Sequence, residues 1–340
     1  MTKLLFILLM LVTVSKAEVV GNDFYIPKTI SSEAKSILKT FKIKYREIKN
    51  IPKKNDLKGW ASLKKKYIGY VKNINLKVID DFSPLIKEKI ISGVRVVEIT
   101  PTTWNKNKTI ILFLHGGAYT LFSARSSLYN SVPIAHYSGI KIISVDYATA
   151  PASKWKNTVE EITKVLKQLK KDGYNYSSIG VLGDSAGGGL AIASILKLRN
   201  DEGVMPNAVA LWSPWVDVTE TGDTYQTLKR SEPTFTYSSL LKHSANAYAD
   251  IKDYKQPYVS PIYGNFKKGF PKTLIQGGTK ELLLSGFVRF YQKLDTSGIN
   301  VKLDIYEGLW HVFQSHYAIP ESKIAINKTS IFFKDNLLPE

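Results

Sequence analysis

Val181-Leu182-Gly183-Asp184-Ser185-Ala186-Gly187-Gly188-Gly189-Leu190 is the stretch that decides the fold of this 340-residue chain. Ile179 to Leu182 is an apolar run that reads as a buried strand. Ala191 to Leu198, small and apolar throughout, reads as a helix. Between them stands G-x-S-x-G. A strand that turns straight back into a helix leaves no room for side chains on either side of the turn, so Gly183 and Gly187 bracket Ser185. That places Ser185 at the carboxyl end of the strand, hydroxyl exposed, with a helix N-terminus beneath it. A plain glycine-rich loop also satisfies the motif, so the nucleophile reading needs support from elsewhere in the chain.

Two stretches supply it. In Thr109-Ile110-Ile111-Leu112-Phe113-Leu114-His115-Gly116-Gly117-Ala118-Tyr119 an apolar strand again runs into glycines. Acyl transfer needs backbone N–H donors aimed at a developing oxyanion, and Gly116, Gly117 and Ala186 are the expected donors. The second stretch is Tyr306-Glu307-Gly308-Leu309-Trp310-His311-Val312-Phe313, which follows the strand-like Val301 to Ile305. A serine hydroxyl needs a base to take its proton. Of the five histidines (115, 136, 243, 311 and 316), His311 has the right place in a late post-strand loop, with His316 in the same segment as the alternative.

The third partner is a carboxylate that orients the histidine, and hydrolases with this elbow place it between serine and histidine. Glu281 is the expected acid, after the strand Lys272 to Gln276 and the turn Gly277 to Lys280. The same residue also suits a helix N-terminus, where carboxylates are favoured anyway. Asp304 lies within a strand, Asp295 near the end of a helix, and Asp217 one strand after the serine. Asp184 reads as a structural hydrogen-bonding residue.

Together these motifs resemble the hormone-sensitive-lipase-like family of α/β hydrolases, which includes arylacetamide deacetylases, steryl acetyl hydrolases and microbial carboxylesterases. The likeness rests on His115-Gly116-Gly117-Ala118, Gly183-Asp184-Ser185-Ala186-Gly187-Gly188, Glu281-Leu282-Leu283 and Trp310-His311. Asp146 to Pro151, Ser213 to Asp217 and Val259-Ser260-Pro261 add to it. The resemblance implies an α/β-hydrolase fold with a helical cap, a Ser185–His311–Glu281 triad and no cofactor. The chain departs from the family at three points. Ala118 stands where many members have a third glycine, Glu281 where Asp is commoner, and the Leu-x-Asp-Glu run that often follows the acid is missing.

The N-terminal part differs in character. Met1 to Ala17, with Lys3, an apolar run of eleven residues and Ser15-Lys16-Ala17, fits a secretory signal peptide. The run is short of the ~20 residues of a membrane span, and a retained N-terminal anchor is the alternative. The expected location is secreted or the secretory-pathway lumen. Asn107, Asn175 and Asn327 open N-x-[ST] triplets and are the corresponding glycosylation candidates. The absence of cysteine rules out disulfides, thiolate metal sites and a cysteine nucleophile. Lys28 to Lys72 holds fourteen Lys/Arg against three acids, the larger part of the chain's net charge of +18. This face reads as a solvated cap surface or as one drawn to anionic lipid or acidic glycan, with no nucleic-acid motif in it.

From Gly93 onward strands alternate with helices: Val94 to Ile99, Ile110 to Leu114, Ile140 to Val145, the elbow strand, Ala208 to Trp212, the strand around Leu274, and Val301 to Ile305. A helix over Thr158 to Lys171 falls among them. This rhythm argues for an α/β fold with a mostly parallel sheet covered on both faces. Ligands bind such sheets beyond the carboxyl ends of the strands, where Ser185, Gly116, Gly117, Glu281 and His311 all fall. The expected organisation is residues 1–17 as signal peptide, 18–90 as a basic N-terminal cap region and 91–340 as the catalytic domain, with 219–264 as a cap insertion. Tyr225, Phe235, Tyr237 and Tyr248 in that insertion line a pocket or pack within the cap. The expected activity is hydrolysis of small-molecule or lipid acyl esters through an acyl-enzyme. The alternatives are an amide or N-acetyl deacetylase on the same triad, and a catalytically silent binding protein on the same fold.

Overall fold

The structure, a computed structural model, describes residues 24–42, 46, 48, 50–104, 106 and 108–337. The expected signal peptide and Asn107 lie outside those residues. Among the described residues, eight strands form one sheet in the order β1-β2-β4-β3-β5-β6-β7-β8. They are β1 Leu85–Ile91, β2 Val94–Thr100, β3 Ile110–Leu114, β4 Lys141–Val145, β5 Ile179–Asp184, β6 Ala208–Trp212, β7 Lys272–Gly278 and β8 Val301–Tyr306. β2 pairs antiparallel with both β1 and β4, and all the remaining pairs are parallel.

The central strands are apolar along their whole length because both sheet faces are covered. Side chains alternate across the sheet with a period of two. Ile110, Leu112 and Leu114 of β3 and Val209 and Leu211 of β6 enter one core. Ile111 and Phe113, with Ala208, Ala210 and Trp212, enter the other. The first core is closed by α5 (Trp155–Lys171), α6 (Ala186–Glu202) and α9 (Leu284–Asp295). The second is closed by α3 (Lys72–Phe82), α4 (Leu128–Ser138) and α10 (Pro320–Asn336).

One strand was not foreseen. Leu85–Ile91 falls in the segment assigned to the basic N-terminal region, yet it pairs with β2 along its full length, so the sheet begins before residue 91. Lys87-Glu88-Lys89 at its centre hides any strand alternation. As an edge strand it leaves Leu85 and Ile90 exposed, and its charges suit a strand with one unpaired side. The elbow helix is also longer than the apolar run suggested. It starts at Ala186, with all three glycines inside its first turn.

Before the sheet come α1 (Ser32–Thr40) and α2 (Leu57–Tyr70). Each is capped by a side chain at the residue before it. Ser31 Oγ accepts the Ala34 amide at 3.0 Å, and Asp56 accepts the Gly59 amide at 2.9 Å. Ile30, just before α1, and Ala34 and Leu38 within it pack with Leu309, Trp310 and Phe313, residues of the loop that carries His311. Residues 219–264 hold no strand, only short helical pieces including α7 (Thr224–Thr227) and α8 (Lys242–Tyr248). The N-terminal chain reaches this segment through Arg46, whose Nη1 donates to the carbonyls of Lys229 and Glu232.

Candidate active site

Ser185 sits between the last residue of β5 and the first of α6 with φ +54° and ψ −122°, a backbone that a non-glycine residue rarely adopts. The surroundings hold it there. The Ser185 amide donates to Trp212 O at 2.8 Å, and the Ser185 carbonyl accepts the Trp215 amide at 2.8 Å. The flanking glycines are obligatory for the reason the motif suggested. A methyl on Gly183 would stand 2.4 Å from Gly187 O, and one on Gly187 would stand 2.0 Å from Leu114 O.

The loop after β8 brings His311 to the serine. His311 Nε2 lies 2.9 Å from Ser185 Oγ, and Nδ1 lies 2.8 Å from Glu281 Oε2. An ionised carboxylate only accepts, so Nδ1 carries the proton and Nε2 is left to accept from the serine hydroxyl. Glu281 is fully buried, and its other oxygen accepts from Ser213 Oγ at 2.8 Å and from the Gly278 amide at 2.6 Å. Burial alone would press the His311 pKa down. The hydrogen bond to Glu281, with the charges of Glu281, Glu232 and Asp184, outweighs it and raises the pKa above the ordinary 6.5.

The glycine turn after β3 lies against the elbow. A methyl on Gly116 would stand 2.3 Å from Asp184 Oδ2 and 3.0 Å from Ser185 Cβ. Gly117 has φ +103°, and its carbonyl accepts the amides of Thr120 and Leu121. Ala186 is buried as the first residue of α6. Burial pushes the Asp184 carboxyl up to about 6, opposed chiefly by the Gly116 amide beside it and by the charge of His311. His115 does not reach the serine. It is fully buried and stacked on Tyr147 with centroids 4.2 Å apart, and its Nδ1 lies 2.8 Å from Gly116 O. Burial drops its pKa to about 4, so this ring is neutral and shapes the turn.

The other residues weighed for the triad are engaged elsewhere. His316 packs edge-on against Trp310. Asp217 accepts from Thr219 and pairs with Arg289 Nη1 at 3.1 Å, while Asp304 pairs with Lys328 at 2.8 Å. Asp295 ends α9. Of the four aromatic residues singled out, Phe235 meets the site, edge-on to His311 with centroids 4.8 Å apart. Tyr225 and Tyr237 pack on each other, and Tyr248 stacks on Tyr119.

Two site residues escaped the sequence reading. Ser213 lies in a stretch noted only for family likeness, and Glu232 in one with no motif at all. Glu232 is fully buried; burial lifts its carboxyl to about 7, with Glu281 adding to the rise and the His311 charge opposing it. A buried Ser–His–carboxylate chain on a strained elbow, at the carboxyl edge of a parallel sheet, is built to activate a serine oxygen against an acyl carbon.

Known proteins resemble this chain in sequence and in fold. An esterase from Acinetobacter venetianus is 30% identical over 237 residues, 69% of this chain and 77% of that protein. An acetyl-hydrolase from Streptomyces hygroscopicus is 29% identical over 225 residues, 66% of this chain and 75% of that protein. The crystal structure of an esterase superposes with a TM-score of 0.85 at 25% identity, covering 92% of this chain and 96% of the other. An esterase from the bacterial hormone-sensitive lipase family superposes with a TM-score of 0.73 at 26% identity, covering 81% and 98%. The family model described as alpha/beta hydrolase fold matches residues 111–315, from β3 through the His311 loop, and the chain belongs to that family.

Proposed function

We propose that this hydrolase cleaves carboxylic esters of short- to medium-chain acyl groups, with Ser185 as nucleophile, His311 as general base and acid, and Glu281 as the residue that orients His311. The continuous chain from Ser185 Oγ through both His311 nitrogens to Glu281 Oε2, at 2.9 and 2.8 Å, carries this reading. Ser185 Oγ attacks the ester carbonyl carbon as its proton passes to His311 Nε2. The imidazolium gives that proton to the departing alkoxide, leaving an acyl-serine. A water then repeats the sequence, losing its proton to Nε2 and releasing the acid. The amides of Gly116, Gly117 and Ala186 are the proposed oxyanion donors, each worth roughly 3 kcal/mol of barrier.

Turnover of p-nitrophenyl esters from acetate to palmitate tests this, with Ser185→Ala beside the wild type. Loss of turnover in the variant is expected, with the optimum at the shorter chains. Equal rates in both proteins exclude Ser185 as nucleophile. Inactivity on every ester, with cleavage of an acetanilide, selects the amide alternative.

We also propose that residues 1–17 send the chain into the secretory pathway. Asn327, exposed on α10, and the half-buried Asn175 are the glycosylation candidates within the described residues. A mature N-terminus at Glu18 and a mass shift on glycosidase treatment are the expected results. The exposed Lys58, Lys65, Lys66 and Lys72 on α2 and α3, beside exposed Tyr70 and Leu76, support peripheral contact with anionic membranes. Vesicle binding that weakens with salt is its test.

A further inference from the structure

Glu232 lies in the stretch between α7 and α8, far in sequence from the elbow and from the His311 loop. Its Oε1 accepts the Thr234 amide at 3.0 Å and the Thr234 hydroxyl at 2.5 Å. Its Oε2 accepts the amide of Leu282, the residue after Glu281, at 3.3 Å. The main chain is held from the N-terminal side, where Arg46 Nη1 donates to the Glu232 carbonyl at 3.0 Å. Three residues further on, Phe235 packs on the His311 ring. One short segment therefore touches both the acid-bearing turn and the base.

Burying a carboxylate is costly unless something is gained from its charge or its hydrogen bonds. The donors on this carboxylate are two amides and a hydroxyl. The charged groups that act on it are His311 and Glu281, while Lys280 feels it from the same turn as Glu281. Asp184 acts on the same imidazole from the end of β5. During the reaction His311 becomes cationic while it holds the serine proton, and that is when a nearby negative charge is worth most.

We propose that Glu232 is a positioning residue of this hydrolase, fixing the Glu281 turn through the Leu282 amide and setting a second negative charge beside the His311 imidazolium. The proposal rests on Ser185 as nucleophile and His311 as base. Burial lifts this carboxyl to about 7, toward its neutral form, and the His311 charge opposes the rise. Ionised Glu232 and protonated His311 favour each other, so the charge is firmest at the step that uses it.

The test is the pH dependence of kcat/KM for Glu232→Gln, which keeps the shape and removes the charge. The high-pH plateau is expected to fall about tenfold with KM little changed. The acidic limb is expected to move about half a pH unit lower, because His311 loses a charge that raises its pKa. A merely structural residue would lower the plateau and leave the limb in place, and that result, like wild-type kinetics, overturns the proposal. Glu232→Asp keeps the charge and should return the limb toward its wild-type position. Should Glu232→Gln lack a cooperative thermal transition, Thr234→Val removes one donor and leaves the carboxylate in place. A smaller limb shift in the same direction is expected there, and an unmoved limb overturns the proposal. Ser185→Ala is run in parallel: activity in that variant defeats the triad reading and with it the role of Glu232, whereas an inactive Ser185→Ala beside an unmoved Glu232→Gln limb defeats the role of Glu232 alone.

Discussion

Ser213 Oγ donates to Glu281 Oε1 at 2.8 Å while accepting the amide of Val312, the residue after His311, at 3.0 Å. One hydroxyl thus ties the acid to the backbone of the base. Ser213 stands just past β6, the strand between the elbow strand and β7, with its own amide donating to Gln276 O at 2.7 Å. Its φ of +47° turns the chain sharply at that point. The triad is therefore braced from the neighbouring strand as well as from the loops that carry its members.

Removing that hydroxyl leaves the Val312 amide unpaired and Glu281 Oε1 with the Gly278 amide as its remaining donor. An orphaned buried polar group costs about 1–3 kcal/mol. Ser213→Ala is expected to lower stability to urea by about that amount and to lower kcat about tenfold through misorientation of the imidazole. A variant with wild-type kcat and midpoint would show that the brace carries no energy.

Glu281→Gln keeps the shape of the acid but offers the imidazole an amide in place of a charge, and it can favour the wrong tautomer. A loss of about 10⁴-fold in kcat is expected, by analogy with the equivalent change in other triads. Glu281→Asp keeps the charge but shortens the reach, so the contacts to His311, Ser213 and Gly278 are no longer all satisfied; its activity should fall between the two. Steady-state kinetics on one short ester orders all three proteins, and a Gln variant as active as the Asp variant would contradict the orienting role.

The raised His311 pKa fixes the sign of the pH dependence. The base works in its neutral form, so kcat/KM rises with pH, and its midpoint is expected above the ordinary 6.5. The same group favours the folded state below its unfolded pKa. That contribution fades as pH rises through the folded value. His115 has the opposite sign. With its folded pKa near 4, it withdraws stability as pH falls from about 6.5 toward that value. A kcat/KM limb centred well below 6.5 would contradict the field of Glu281, Glu232 and Asp184 on the base.

The convergence of Ser185, Glu281 and His311 could be read from sequence because each requirement of such a chain of contacts leaves a local mark. A strand-to-helix elbow needs glycines on both sides of its serine. The acid and the base each follow an apolar run that reads as a strand. Ser213 and Glu232 leave no such mark, since a hydroxyl bonded across 68 positions looks like any serine in a loop. The stretch Arg230-Ser231-Glu232-Pro233-Thr234 has the composition of an exposed turn, and only the packing of residues around it makes its carboxylate a buried one. β1 was hidden for the converse reason. An edge strand buries little, so its sequence carries little apolar pattern, and it is recognised by its pairing with β2.

The basic N-terminal region has an internal role that its charge conceals. Leu38 on α1 is 1% exposed and packs in the cluster with Leu309, Trp310 and Phe313, which flank His311 in the chain. Phe41 adds an edge-on contact with Trp310 at 5.6 Å. Glu321 at the start of α10 accepts from the Ser31 amide and hydroxyl at 2.7 and 2.8 Å, fixing where α1 begins. Leu38→Ala opens a cavity directly under the loop and should cost about 3 kcal/mol. A comparable cavity at Leu169 in α5, 2% exposed and in the core cluster on the other side, controls for global destabilisation. Leu38→Ala is expected to lower kcat several-fold and to speed amide exchange at Leu309 to Phe313. Leu169→Ala should lose similar stability and keep its kcat. Equal losses of kcat in both variants would mean that α1 supports the fold as a whole and not the position of His311.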